Sequence, residues 1–356
     1  MKQISSVYII CGNITLKGGT EKAISNLTQL LETHNIKSHI ISLFSKDGEL
    51  SSYNTGKSTI IHLAHRPFGT KILKRILWYT SIIRELRSIL ANTSKNIILG
   101  YGHNINIMLP FLRGAKNKYY GYEHIDLNSI PFSSRLIQRL VYPYMDGLIV
   151  LSTKAKNKYI KYNKNIFVIP NTVSFRYKRF TDYSSNRILM IGRLSPEKGY
   201  DRLIPIGEMI AKKFPGWEID IFGEGDLKND ITKNIKEHHL ENIIHLAGFT
   251  NDIQAELVNS CVLIMLSYSE ALPMVIIEAK ACGIPCIAYK CEGTEALIND
   301  SIDGFIVETQ EEFINKLSLM LYDKSMLKNM GMRALEDAKN FSDECIYSKW
   351  KVLLKE

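Results

Sequence analysis

Residues 262–285 read Val262-Leu263-Ile264-Met265-Leu266-Ser267-Tyr268-Ser269-Glu270-Ala271-Leu272-Pro273-Met274-Val275-Ile276-Ile277-Glu278-Ala279-Lys280-Ala281-Cys282-Gly283-Ile284-Pro285. The unbroken apolar run 262–266 fits a strand buried on both faces, as in a parallel sheet. A polar loop follows, and Pro273 suits the first position of a helix, where its missing N–H would have no partner. Gly283 and Pro285 then punctuate the return to an apolar run. Strand, loop, helix and strand make a βαβ unit, whose free helix-start N–H groups can meet an anion. Glu270 stands at the mouth of such a sheet and Glu278 lies further along, in the helix. Two carboxylates so placed can flank a phosphate-sized site and accept hydrogen bonds from sugar hydroxyls. Alone, such a pair is usually surface charge; the strand, loop and proline around it raise its weight.

The same alternation runs outward in both directions. Strands are expected at 7–11, 38–43, 59–63, 96–100, 118–122, 147–151 and 166–169, with helices near 20–33, 70–91, 133–143 and 153–161. Beyond residue 186 the strands fall at 187–191, 217–222, 243–246, 261–266, 284–288 and 304–307. Helices there lie near 200–214, 227–238, 251–258, 274–282, 293–298 and 310–322. Strand–helix alternation means parallel sheets covered by helices. It occurs twice, separated by the polar, aperiodic stretch 171–186. The expected fold class is therefore α/β with two Rossmann-like domains, 1–175 and 176–340, facing across a cleft at the carboxyl ends of their strands. A charged helix at 341–356 can pack back on the first.

Among 356 residues, 45 Lys and Arg outnumber 36 Asp and Glu, a formal charge of +9. Residues 1–180 hold 26 cations and 8 anions, a balance of +18; residues 181–356 hold 19 and 28, a balance of −9. So large an asymmetry argues for two domains with different partners, and an acidic half disfavours a nucleic-acid binder. No apolar run approaches the roughly 18 residues of a membrane span. The opening stretch is too short for a signal-peptide core and reads as a buried strand, and a cytoplasmic chain is expected from that. The six cysteines mostly sit in apolar runs, lack a zinc-like pairing and are expected to be reduced.

Two further turns follow strands. In Ile191-Gly192-Arg193-Leu194-Ser195-Pro196-Glu197-Lys198-Gly199, glycine permits close approach to a ligand, Arg193 can grip phosphate oxygens bidentately and Lys198 adds a point charge. Phe222-Gly223-Glu224-Gly225-Asp226 is another close-approach turn. Taken singly, a solvated turn is the better account of each.

In this order the motifs resemble retaining glycosyltransferases of the GT-B fold, in particular glycosyltransferase family 4. The resemblance covers nearly the whole chain. It rests on Gly192 to Gly199, Gly223 to Gly225, the Glu-x7-Glu pair Glu270 and Glu278, and the Gly-x-Pro that follows. By this resemblance Arg193 and Lys198 neutralise a nucleotide diphosphate and Glu270 contacts the transferred sugar. Gly192, Gly223 and Glu224 line the donor. Backbone N–H groups around Leu272, Pro273 and Met274 meet sugar or phosphate, and Glu278 binds the ribose. Two departures are Ala271, where the family usually has glycine, and Pro205 in the helix after Lys198. In the first half, Lys17-Gly18-Gly19-Thr20-Glu21 resembles the family's glycine loop, with Gly19 toward the donor and Gly18 toward the acceptor. Glu123-His124 resembles its Glu-His pair, His124 bonding the donor sugar. Gly102-His103-Asn104 is a candidate acceptor loop, which a purely structural role explains equally well.

The resemblance implies transfer with retention, the diphosphate leaving as the acceptor attacks from the same face. There is no Asp-x-Asp, so Arg193, Lys198 and helix N-termini stand in for a metal, and no cofactor is expected beyond a nucleotide sugar, a UDP-sugar by overall likeness. The acceptor expected is a lipid-linked, polyprenyl-diphosphate glycan. Arg66-Pro67-Phe68-Gly69-Thr70-Lys71-Ile72-Leu73-Lys74-Arg75-Ile76-Leu77-Trp78-Tyr79, with Arg135, Arg139 and Tyr142, fits an anionic membrane surface on the inner face of the cytoplasmic membrane. A GDP-mannose donor, a soluble acceptor, or a non-catalytic binding protein on the same scaffold are the alternatives.

Overall fold

The computed structural model describes residues 5–66, 72–114, 116–173 and 179–354. The boundary expected after residue 175 and residues 67–71 of the basic stretch lie outside them. The chain divides into two units, Met1–Thr172 with Asp343–Glu356, and Val173–Ser342.

The first unit carries seven parallel strands: β1 (Ser6–Cys11), β2 (Lys37–Ser42), β3 (Thr59–His62), β4 (Ile97–Tyr101), β5 (Lys118–Glu123), β6 (Gly147–Val150) and β7 (Ile166–Val168). Their order in the sheet is β3-β2-β1-β4-β5-β6-β7. The helices are α1 (Gly19–Thr33), α2 (Ile72–Leu90), α3 (His103–Asn106), α4 (Phe132–Val141) and α5 (Thr153–Tyr159). The second unit repeats the plan with β8 (Arg187–Ile191), β9 (Glu218–Phe222), β10 (Ile244–Gly248), β11 (Val262–Met265), β12 (Cys286–Tyr289) and β13 (Gly304–Val307), in the order β10-β9-β8-β11-β12-β13. Its helices are α6 (Leu203–Lys213), α7 (Lys228–Glu237), α8 (Ile253–Val258), α9 (Met274–Ala281), α10 (Glu292–Glu295), α11 (Gln310–Tyr322) and α12 (Lys324–Ala338). Last comes α13 (Asp343–Leu354), which belongs to the first unit.

In each sheet the strand order reverses beside the first strand, β1 or β8. That switch point is where open α/β sheets gather ligands at their carboxyl ends. The central strands are buried on both faces, β4 and β11 completely, which is why they read as unbroken apolar runs. Pro205 sits in the first turn of α6, where a backbone N–H has no intrahelical partner to lose; a short 3-10 turn, Tyr200–Arg202, precedes the helix. Tertiary contacts hold α13 to the first unit: Thr172 donates to Asp343 at 2.5 Å, and Trp350 packs edge-on to Tyr122. The α3 turn, the Leu109–Leu112 turn and α12 are elements that the sequence periodicity did not reveal.

Candidate functional site

In the second unit, three loops meet at the carboxyl ends of β8, β11 and β12. The turn after β8 is folded tightly enough that Gly199 adopts φ 71°, and a Cβ there would lie 2.1 Å from the Leu266 carbonyl oxygen. Glycine is therefore required on steric grounds. This close approach brings Lys198 beside the loop after β11. Its Nζ lies 2.5 Å from Glu270 Oε1, which also accepts a hydrogen bond from Ser267 Oγ at 2.8 Å. Tyr268 N–H donates to the Glu197 carbonyl, and Gly293 N–H, from the α10 turn after β12, donates to the Glu270 carbonyl at 2.9 Å. The carboxylate of Glu270 is largely buried, so its pairing with Lys198 is poorly screened by water.

Arg202 completes the frame, though no local pattern pointed to it. Its Nη1 donates to the Leu266 carbonyl at 2.9 Å, and its guanidinium lies between the rings of Tyr268 and Tyr289, 3.9 and 3.7 Å from their centroids. Tyr268 in turn donates to Asp201, and this bond raises the pKa of its hydroxyl.

Helix α9 is buried nearly all round, with Glu278 inside it. Pro273 is its N-cap and Met274 its first helical residue, one position later than proline's missing donor suggested. Leu272, Pro273 and Met274 are buried. Lys280 is 1 % exposed, its Nζ 2.9 Å from Asp303 and 2.7 Å from Asp337, and Asp303 accepts two more bonds from Asn299. This buried ion network ties α9 to α12, and sequence reasoning missed it. Gly223 lies so close to the Gly192 carbonyl that a Cβ would stand 1.9 Å from it. Glu224 is exposed and contributes its carbonyl, which accepts the Leu194 N–H. Arg193 is also exposed. Among the described residues the one close group of metal-type ligands is Glu218, Asp220 and His245, on β9 and β10 and apart from these loops; Arg187 already pairs with Asp220.

In the first unit the expected Glu-His pair separates into two roles. Glu123 is buried, accepting from Asn106 Nδ2 at 2.7 Å, from Tyr142 and, at 3.3 Å, from Tyr159. Burial raises its pKa against the pull of those hydrogen bonds. It is a structural carboxyl inside an Asn–Tyr cage. His124 lies next in the chain, stacked on Tyr101, its Nε2 buried without a hydrogen-bond partner. Burial pushes its pKa down to about 3. Gly18 caps α1 with extended backbone, and Gly19 is exposed with open space where a Cβ would be. His103 and Asn104 begin α3 and are half-buried; burial lowers the His103 pKa.

Known proteins share this architecture. Residues 175–337 match the family model for glycosyl transferases group 1, spanning almost all of the second unit. The amylovoran biosynthesis glycosyltransferase AmsD of Erwinia amylovora is 27% identical over 98% of this chain and 99% of its own. A Campylobacter jejuni enzyme that is 25% identical over 95% of both chains is described as a GalNAc-alpha-(1->4)-GalNAc-alpha-(1->3)-diNAcBac-PP-undecaprenol alpha-1,4-N-acetyl-D-galactosaminyltransferase. The crystal structure of a mutant S. aureus TarM in complex with Fondaparinux, alpha-GlcNAc-glycerol and UDP superposes with a TM-score of 0.82 over 99% of this chain and 100% of that one, at 16% identity. The chain thus has the GT-B fold, and its matches support a glycosyltransferase. More particularly, its second unit is similar to group 1 glycosyl transferases over residues 175–337, and these relatives are bacterial.

Proposed function

We propose that the chain is a retaining transferase that moves a hexose or N-acetylhexosamine from a UDP-sugar to a polyprenyl-diphosphate-linked glycan in surface-polysaccharide synthesis. The observation that carries this reading is the Lys198–Glu270 contact, which joins residues 72 positions apart at the carboxyl ends of adjacent strands. A cation and a carboxylate held there give one group for diphosphate oxygens and one for sugar hydroxyls. Support for the acceptor comes from the Campylobacter relative, whose name includes a diphosphate-linked undecaprenol, and support for the donor from the UDP in the TarM structure.

The chemistry asks the protein to stabilise charge growing on the leaving diphosphate. Lys198 and exposed Arg193 supply cations, and the N–H groups at the start of α9 supply dipoles. Glu270, held by Lys198 and Ser267, orients the sugar, Glu278 faces the ribose, and His124, neutral at physiological pH, presents a hydrogen-bonding ring to the donor sugar. Gly18, His103 and Asn104 belong to the acceptor side. No metal is needed in this scheme, so transfer survives EDTA; loss on chelation with rescue by manganese or magnesium would refute that part. The first unit meets the inner face of the cytoplasmic membrane.

The test is a panel of nucleotide sugars read by released nucleotide, with Glu270→Ala and Lys198→Ala. Each substitution lowers turnover by about 100-fold or more while the protein stays folded, the scale of losing one preorganised electrostatic group. Near-normal turnover in either variant removes the site assignment.

A further inference from the structure

Helix α4 is built inside out. Its buried position is Gln138, whose Nε2 donates to the Tyr142 hydroxyl at 2.8 Å, and Tyr142 donates in turn to Glu123. Its large apolar residues point away: Phe132 is 75 % exposed, Leu136 53 %, Leu140 65 %, and Tyr144, just past the helix, 64 %. Their four-residue spacing sets them along one stripe. A helix that covers a sheet ordinarily turns such a stripe inward. Here a polar cage fastens the helix from below, and the apolar stripe is left to something outside the unit.

Charge identifies that partner. Helices α4 and α5 carry Arg135, Arg139, Lys154, Lys156 and Lys158 and no acidic residue. Lys158 pairs with Asp126, and Lys154 also has a partner within the chain. The unit around them is strongly cationic, with 26 Lys and Arg against 11 Asp and Glu, a balance of +15. The stripe also does not stand alone. Right-handed crossovers place α2, the Leu109–Leu112 turn and α4 on the same face of the sheet, and side chains from all three regions share one core. Arg87 of α2 donates to the Phe111 carbonyl at 2.8 Å, and Ile76, Leu77 and Phe111 are likewise exposed apolar residues. Exposed apolar side chains with basic flanks on one face of a sheet fit an anionic lipid leaflet. A second copy of the chain would set these cations against their like.

We infer that α4 is the element that enters the membrane, with Phe132, Leu136 and Leu140 among the acyl chains and Arg139 and Lys156 at the headgroup phosphates. This deepens, and rests on, the reading of the first unit as the membrane-facing one. No helix among the described residues is long and apolar enough to cross a bilayer, so the contact is in the plane of the interface.

The test uses the full chain and sedimentation with vesicles of phosphatidylcholine alone or with about 30% phosphatidylglycerol. Wild type should bind the anionic vesicles, less so as salt rises, and Phe132→Trp should show a blue-shifted emission on binding. The double variant Leu136→Glu/Leu140→Glu, at exposed positions, should keep the wild-type melting curve and lose binding by about tenfold or more. Wild type failing to bind anionic vesicles at low salt overturns the membrane reading together with this inference. Wild type binding while the double variant binds equally well overturns the role of α4 alone. A wild-type dimer that the double variant converts to monomer also overturns it, by showing the stripe to be a self-contact.

Discussion

The two units share one winding plan and use it in opposite ways. In the second, the loops at the switch point are locked to one another: Lys198 and Ser267 on the Glu270 carboxylate, Gly293 on its carbonyl, Arg202 on the Leu266 carbonyl. Helix α9 is buried nearly all round and anchored by an ion network at Lys280. In the first, the polar groups are sunk beneath α4 and the apolar stripe faces out. Each unit therefore keeps its unused binding capacity in a different place. The second holds it in preorganised charges at strand ends, and the first holds it in exposed surface and in the partnerless nitrogen of His124.

Lys280 is where this contrast is most vulnerable. Lys280→Met leaves Asp303 buried beside an apolar side chain, and breaking such a buried pair costs about 3–5 kcal/mol. The expected result is a large drop in the urea midpoint of the second unit; an unchanged midpoint would mean that apolar packing alone holds α9.

A pH-dependent effect is expected in acid from the first unit. His124 is neutral in the fold down to about pH 3, whereas the unfolded chain protonates it below 6.5. The stability this contributes is present above pH 6.5 and is lost as pH falls, at up to about 1.4 kcal/mol per pH unit. His124→Phe should therefore flatten the acid limb of a stability–pH curve, and an unaltered slope would place His124 in water.

Glu123 has the opposite sign. Its raised pKa means stability present below its ordinary 4.5 and lost as pH rises through the folded value. Glu123→Gln should gain on wild type as pH increases; a loss at every pH would show that the cage requires the charge.

Much of the fold was legible because parallel strands are buried on both faces and read as apolar runs between polar punctuation. The α3 and Leu109–Leu112 turns were not, being too short for a helical period to register. Helix α12 has its buried residues, Leu327, Met330, Gly331 and Ala334, at helical spacing, but glycine and alanine give that face little apolar weight. At the site, the glycines and the Glu270–Glu278 spacing were readable as local features. Arg202 and Lys280 were not: an arginine between two tyrosines and a lysine inside an apolar helix have partners 23 to 87 positions away.

The residue order alone dictates the alternation of strands and helices, the turns at Gly199 and Gly223, and the contrast of charge between halves. These follow from local sterics and from the cost of leaving apolar runs in water. Which charges meet is a matter of tertiary structure. Lys198 reaches Glu270 because β8 lies beside β11, while Glu123 sinks into a cage and α4 turns outward because Gln138 is the side chain that cage accepts. Contacts of this kind depend on which strands become neighbours, and no local pattern of residues encodes that.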